Sequence, residues 1–169
     1  MDAFIVIIIS VFIALSIIGF VLPKKRTAEK ATYLYASPPE VFSLVADIEN
    51  QIKWRKELKD IQIHDSKAET WTEVPYKGKP IFFQTLQKTP NSYWEFKFKG
   101  HGFHGYWQGT YKKVDNGITK ANHKETIILP NPIIRLLSYI FVDPKKFITL
   151  FFEQLANQIN ANNSYSDSL

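Results

Sequence analysis

Residues 92–129, SYWEFKFKGHGFHGYWQGTYKKVDNGITKANHKETIIL, decide the fold. Aromatic and β-branched residues alternate with polar ones through most of the stretch, the period-two pattern of half-buried strands. Asn116-Gly117 is the dipeptide that a two-residue type I′ hairpin turn asks for, because both central residues need φ > 0. Such a turn sets Val114 opposite Thr119, Thr110 opposite His123 and Gln108 opposite Glu125. One face of the ribbon then carries Lys113, Lys120 and Lys124 with Gly105, Trp107, Gly109 and Tyr111. The other carries His104, Tyr106, Gln108 and Thr110 with Thr119, Ala121, His123, Glu125 and Ile127. Unpaired lysine is almost never buried, so the second face is expected inside. It is polar for an interior, and is read as the lining of a pocket. A slip of one residue would turn every side chain over.

Upstream, Trp94, Phe96 and Phe98 share one strand face while Glu95, Lys97 and Lys99 share the other. Further strands are expected over residues 60–64, 70–76 and 80–88, with a first strand over residues 31–36. Ser37-Pro38-Pro39-Glu40 announces a helix: a serine N-cap, proline at the first helical position and a glutamate closing a capping box. A second short helix is expected from Asp47, turning Ile48, Ile52 and Trp54 inward and Lys53, Arg55, Lys56 and Lys59 outward. Downstream, Asn131-Pro132 opens a helical stripe of Ile133, Leu136, Leu137, Ile140 and Phe141. Asp143-Pro144 restarts it with Ile148, Phe151, Phe152, Leu155 and Ile159. Helices of this kind need a large apolar surface to cover, and the concave face of the sheet supplies one.

Residues 3–22, AFIVIIISVFIALSIIGFVL, carry no charge. Twenty helical residues span roughly 30 Å, the thickness of a bilayer's hydrocarbon core. The charged residue before the run is Asp2, whereas Pro23-Lys24-Lys25-Arg26 follows it. The run lacks the basic start and short apolar core of a cleaved signal peptide. A single-pass anchor is therefore expected, with the N-terminus outside and the domain on the cytoplasmic side. Lys24, Lys25 and Arg26 are expected to meet lipid head groups at the membrane surface. The chain divides into an anchor (1–22), a basic juxtamembrane linker (23–30), one domain (31–160) and a flexible polar tail (161–169). Its 21 basic against 16 acidic residues give a formal charge of +5, which suits an anionic surface.

The absence of cysteine excludes disulfides, thiolate metal sites and thiol catalysis. Gly100 to Gly105 spells G-x-G-x-x-G, but a dinucleotide site needs a helix directly afterwards, and residues 106–113 read as strand. A metal would have to recruit His104, His123 and Glu125 as a facial set, and no metal site or other cofactor is assigned. Tyr93 to Lys99 mixes aromatic and basic residues as single-strand nucleic-acid binders do. The rings alternate as core positions should, so no nucleic-acid partner is expected. No nucleophile elbow, P-loop or zinc-protease pattern occurs.

The order strand, two short helices, six strands, long helix resembles the START-like (SRPBCC) superfamily, which includes polyketide cyclase/dehydrase-like proteins. The resemblance rests on Ala36-Ser37-Pro38-Pro39-Glu40-Val41-Phe42, on Asp47 and Trp54, on Asn116-Gly117-Ile118-Thr119 and on Asn131-Pro132. It covers residues 28–159. Where the family often has proline just before the tryptophan, this chain has Ile52-Lys53. The resemblance implies an α+β helix-grip fold: an antiparallel sheet of about seven strands wrapped on a long C-terminal helix, here with one N-terminal transmembrane helix. It also implies a cavity for a hydrophobic small molecule or lipid. Trp94, Phe96, Phe98, Tyr106, Ile127, Phe151 and Leu155 are the expected apolar wall. His104, Gln108, Thr110, His123 and Glu125 are the expected contacts to the ligand's polar end. A carrier, sensor or transfer role comes first. The alternatives are a cyclase- or dehydratase-like enzyme using His123 and Glu125 as acid and base, and an interaction or stress-response module without a ligand. Oligomeric state is not legible.

Overall fold

A computed structural model describes residues 3–166. Asp2, the acidic flank of the expected anchor, and residues 167–169 of the expected tail lie outside the described residues. Helix α1 (Ala3–Val21) is followed by β1 (Lys25–Leu34), α2 (Pro38–Ala46), a 3₁₀ turn (Glu49–Lys53), β2 (Leu58–Asp65), β3 (Thr70–Pro75), β4 (Ile81–Thr89), β5 (Tyr93–Gly100), β6 (Phe103–Asp115) and β7 (Ile118–Ile128). Helices α3 (Pro132–Phe141) and α4 (Pro144–Ser166) close the chain. The seven strands form one antiparallel sheet in the order β1-β7-β6-β5-β4-β3-β2. This is the expected α+β helix-grip architecture.

The local signals account for most of the boundaries. At the start of α2, the backbone N–H and the hydroxyl of Ser37 both donate to the Glu40 carboxylate, at 2.7 and 2.6 Å. Asn131 caps α3 by accepting from the N–H groups of Ile133 and Ile134. Ile148, Phe152, Leu155 and Ile159 follow helical spacing on α4 and are buried in one cluster with the inward side chains of the sheet. Trp71 stacks on Phe83 at 5.1 Å, and Phe96 on Trp107 at 4.7 Å. Apolar rings of this size bring about 2–3 kcal/mol each by burial.

Four expectations are corrected. Most of the proposed linker 23–30 is strand: β1 starts at Lys25, and its pairing with β7 begins there, against Ile128. The proposed tail is helical as far as Ser166. After α2 the chain makes a 3₁₀ turn in which Gln51 is buried and Ile52 is 38% exposed; Gln51 is held there by donating to the Val45 carbonyl at 2.7 Å.

The fourth correction reverses half of the central ribbon. Gly117 has φ +70°, but Asn116 is not among the residues of positive φ, so the turn is not type I′. A bulge between Lys113 and Asp115 leaves Val114 unpaired and sets Lys113, not Val114, against Thr119. One extra residue on one strand flips that strand's faces and leaves its partner's unchanged. β7 therefore turns Thr119, Ala121, His123, Glu125 and Ile127 inward as expected. On β6 the inward residues are Gly105, Trp107, Gly109 and Tyr111, while His104, Tyr106, Gln108 and Thr110 face outward.

Candidate functional site

Between the concave face of the sheet, the 3₁₀ turn, α3 and α4 lies a cavity of about 700 Å³. Rings dominate its wall: Trp71, Phe83, Trp94, Phe96, Phe98 and Trp107 from the sheet, with Phe151 from α4. Period-two alternation on β3, β4, β5 and β6 turns these side chains to one side. The sheet's twist curves that side around the space. Towards α3 the cavity reaches Ile134, Leu137 and Phe141, and its rim includes Lys77, Lys79 and Phe147.

One end is polar. Arg55 donates to Glu57 at 2.8 Å, to Glu73 at 2.9 Å and to the side-chain oxygen of Gln51 at 2.8 Å. Its guanidinium lies 5.5 Å from the centre of the Phe151 ring. Burial works against the Arg55 charge, yet Glu73 and Glu57 outweigh it and hold the group protonated above its ordinary value. Burial likewise opposes ionisation of Glu57, but Arg55 and a 2.8 Å hydrogen bond from Gln154 of α4 keep its carboxyl below the usual range. Breaking such a partly buried cluster from one side is costly, because it strands the partner charge.

Glu125 faces the same space from β7 and lines the cavity. Among the described residues no protein group hydrogen-bonds its carboxyl. Burial, offset in part by Arg55 and reinforced by Glu73, pushes its pKa up to about 7. It stands ready to exchange a proton near neutrality, or to bond a ligand's polar end.

His123 is different. It is fully buried, stacked on Phe152 at 4.1 Å and edge-on to Trp107 at 4.5 Å. Its Nε2 shares a 3.1 Å hydrogen bond with the Tyr111 hydroxyl, and among the described residues its Nδ1 has no partner. Burial lowers its pKa to about 3, so the ring is neutral near pH 7. His123 and Glu125 share a strand face but make no hydrogen bond to each other among the described residues. The imidazole is a packing group beside the cavity.

Of the residues singled out in the sequence, Trp94, Phe96, Phe98, His123, Glu125, Ile127 and Phe151 come together around the cavity. Leu155 is fully buried in the core cluster but is not on the cavity wall. His104, Tyr106, Gln108 and Thr110 are on the outer face through the β6 bulge, where Gln108 donates to Glu95 at 3.1 Å. His104 therefore cannot join His123 and Glu125 in one set. Lys24 and Lys25 are exposed. Arg26 is turned onto α3, donating to the Ser138 carbonyl and lying 4.4 Å from the centre of the Tyr139 ring. The polar end built on Arg55, Glu57 and Glu73 was missed. An arginine among lysines, two residues before a glutamate, was the available signal.

The sequence matches no family model, and a search of the curated proteins gives no match. Solved structures do match. A START superfamily protein from Mycobacterium smegmatis superposes with a TM-score of 0.61 at 14% identity, over 80% of this chain and 97% of that one. The Zhui aromatase/cyclase from a Streptomyces species gives 0.65 at 9% identity, over 80% and 94%. The chain has the START-like fold. A norcoclaurine synthase from Thalictrum flavum, solved with a transition-state analogue, gives 0.68 at 3% identity, over 82% and 96%. At such identities the likeness concerns the START-like fold alone, and function has to be argued from the site.

Proposed function

We propose that this chain binds a hydrophobic small molecule or lipid in its cavity, as a carrier, sensor or transfer protein held at a membrane by α1. The observation that carries the reading is the cavity itself. About 700 Å³ of space lined mainly by aromatic and aliphatic side chains, with a few convergent polar groups at one end, is how ligand sites are built. Leaving it empty would forfeit the dispersion contacts of every ring around it. An interaction module with a filled interior would show no such void.

Helix α1 supports the tether. It is about 28 Å long, uncharged throughout and, apart from Gly19 and Ser16, exposed along its length. The basic residues that follow it favour the cytoplasmic side for the domain. Tethering raises the effective concentration of membrane lipids at the cavity.

A second reading, an enzyme of the cyclase or dehydratase kind, is supported by Glu125 alone. A carboxyl with a pKa of about 7 on the cavity wall is suited to general acid–base work. His123, stacked and neutral, is not used in it.

Titrating the full-length chain in detergent micelles with a brominated long-chain alcohol tests the binding reading. Trp71, Trp94 and Trp107 line the cavity, so a bound bromoalkyl chain quenches them saturably at one ligand per chain. Linear, unsaturable quenching equal to that of free tryptophan in the same micelles would refute it.

A further inference from the structure

Helix α3 is inside out for a helix in water. Its buried side chains are Arg135 and Ser138, 1% and 8% exposed, while Ile140 is 61% exposed and Leu137 and Phe141, at the mouth of the cavity, are 47% and 77% exposed. A surface helix of a soluble domain turns its apolar stripe to the core. A contiguous apolar face left outside marks a partner or a membrane. Phe147, in the first turn of α4 and on the cavity rim, adds a further ring that is 57% exposed.

What holds α3 in place indicates what covers it. Arg135 pairs with no carboxylate among the described residues and gives its N–H groups to main-chain carbonyls. Nε donates to Leu129 at 2.9 Å and one terminal nitrogen to Pro130 at 2.8 Å. The other donates to Gly19 at 2.9 Å, Leu22 at 3.1 Å and, more weakly, Phe20 at 3.4 Å. Gly19 and Phe20 lie in the last turn of α1 and Leu22 follows it directly; carbonyls there lack partners within the helix and carry the negative end of its dipole. Arg135 therefore caps the anchor. The helices also touch backbone to backbone: a Cβ on Gly19 would stand 2.3 Å from the Pro132 carbonyl oxygen.

The N-terminus of α3 is thus fastened at the level of the last turn of α1, and its apolar side continues the anchor's surface. Exposed lysines follow both helices, Lys24 and Lys25 after α1 and Lys145 and Lys146 in the first turn of α4 after α3, with charge complementary to anionic head groups. We infer that α3 and the first turn of α4 lie in the headgroup–acyl boundary of the bilayer that α1 crosses, so that the cavity mouth opens onto the membrane and admits a bilayer lipid directly. The inference rests on reading α1 as a span and the cavity as a ligand site.

Single-cysteine variants test it cleanly, because the chain has no cysteine of its own. Full-length Leu137→Cys, Phe141→Cys, Ile9→Cys and Asn116→Cys proteins, each carrying an environment-sensitive nitrobenzoxadiazole label, are reconstituted into phosphatidylcholine/phosphatidylglycerol vesicles with or without doxyl-labelled lipid. Ile9 reports the span, and Asn116, at the far end of the β6–β7 hairpin, reports water. Labels at positions 137 and 141 are expected to emit to the blue of the Asn116 label and to lose about half their intensity to shallow doxyl lipid, consistent with a helix lying in the interface. Quenching at position 9 without quenching at 137 and 141 would overturn the inference and leave the tether standing. Blue emission at 141 without lipid quenching would place the label in the cavity or under a protein partner, a second copy included, and would also overturn it. Loss of quenching at position 9 as well would remove the tether on which it stands.

Discussion

Replacing Glu125 with glutamine removes a specific pH dependence of stability. In the unfolded chain this carboxyl titrates at its ordinary value of 4.5, whereas in the fold burial raises it to about 7. The folded state therefore holds the proton more tightly. The stabilisation is fully present below pH 4.5 and is lost as pH rises through 7, after which both states are ionised and the slope vanishes. At about 1.4 kcal/mol per pH unit, ionising Glu125 inside the domain costs up to about 3 kcal/mol; water entering an empty cavity reduces this figure. The amide of Glu125→Gln keeps the shape without the charge. Urea unfolding of the full-length chain in micelles, followed by the fluorescence of its four tryptophans, all of them in the domain, reads the difference. The stability gap between Glu125→Gln and the wild type is expected to widen in favour of the variant from pH 4.5 to 7 and then stay constant. Parallel curves across that window would refute the placement of Glu125 against a low-dielectric wall.

His123 supplies the opposite slope. Its pKa falls from 6.5 to about 3 on folding, so its contribution is present above pH 6.5 and lost towards pH 3, up to about 5 kcal/mol. His123→Phe should flatten the acid limb of the same unfolding series. Ile127→Trp fills part of the cavity and should weaken binding of the brominated alcohol at least about tenfold while leaving the circular dichroism spectrum unchanged. Glu40→Ala removes the acceptor of two Ser37 hydrogen bonds at the start of α2 and should cost about 1 kcal/mol in urea unfolding, with no effect on ligand binding.

The fold was legible because its signals are local: alternation on β5 and β7, proline and serine at the start of α2, and Asn131-Pro132 before α3. The site was legible only in part. His123, Glu125 and Ile127 were correctly turned inward because β7 contains no bulge. His104, Gln108 and Thr110 were misplaced because one unpaired residue, Val114, decides the faces of β6, and nothing in the composition marks a bulge there. Arg55 reads as surface beside Lys53 and Lys56. It is drawn inward by Glu73, a partner on β3 that sequence proximity does not reveal. The stripe of α3 was correctly seen as apolar, but was expected to cover the sheet. What turns it outward is Arg135, whose acceptors at the end of α1 lie more than a hundred residues away in the chain.

An apolar ligand in the cavity is the property on which the proposed function stands. Its most direct test is native mass spectrometry of the full-length chain released from micelles, with organic extraction of whatever it retains. One bound molecule of lipid-like mass per chain is expected, its occupancy reduced at least about tenfold in Ile127→Trp. An empty chain that also shows no saturable quenching by the brominated alcohol would contradict it.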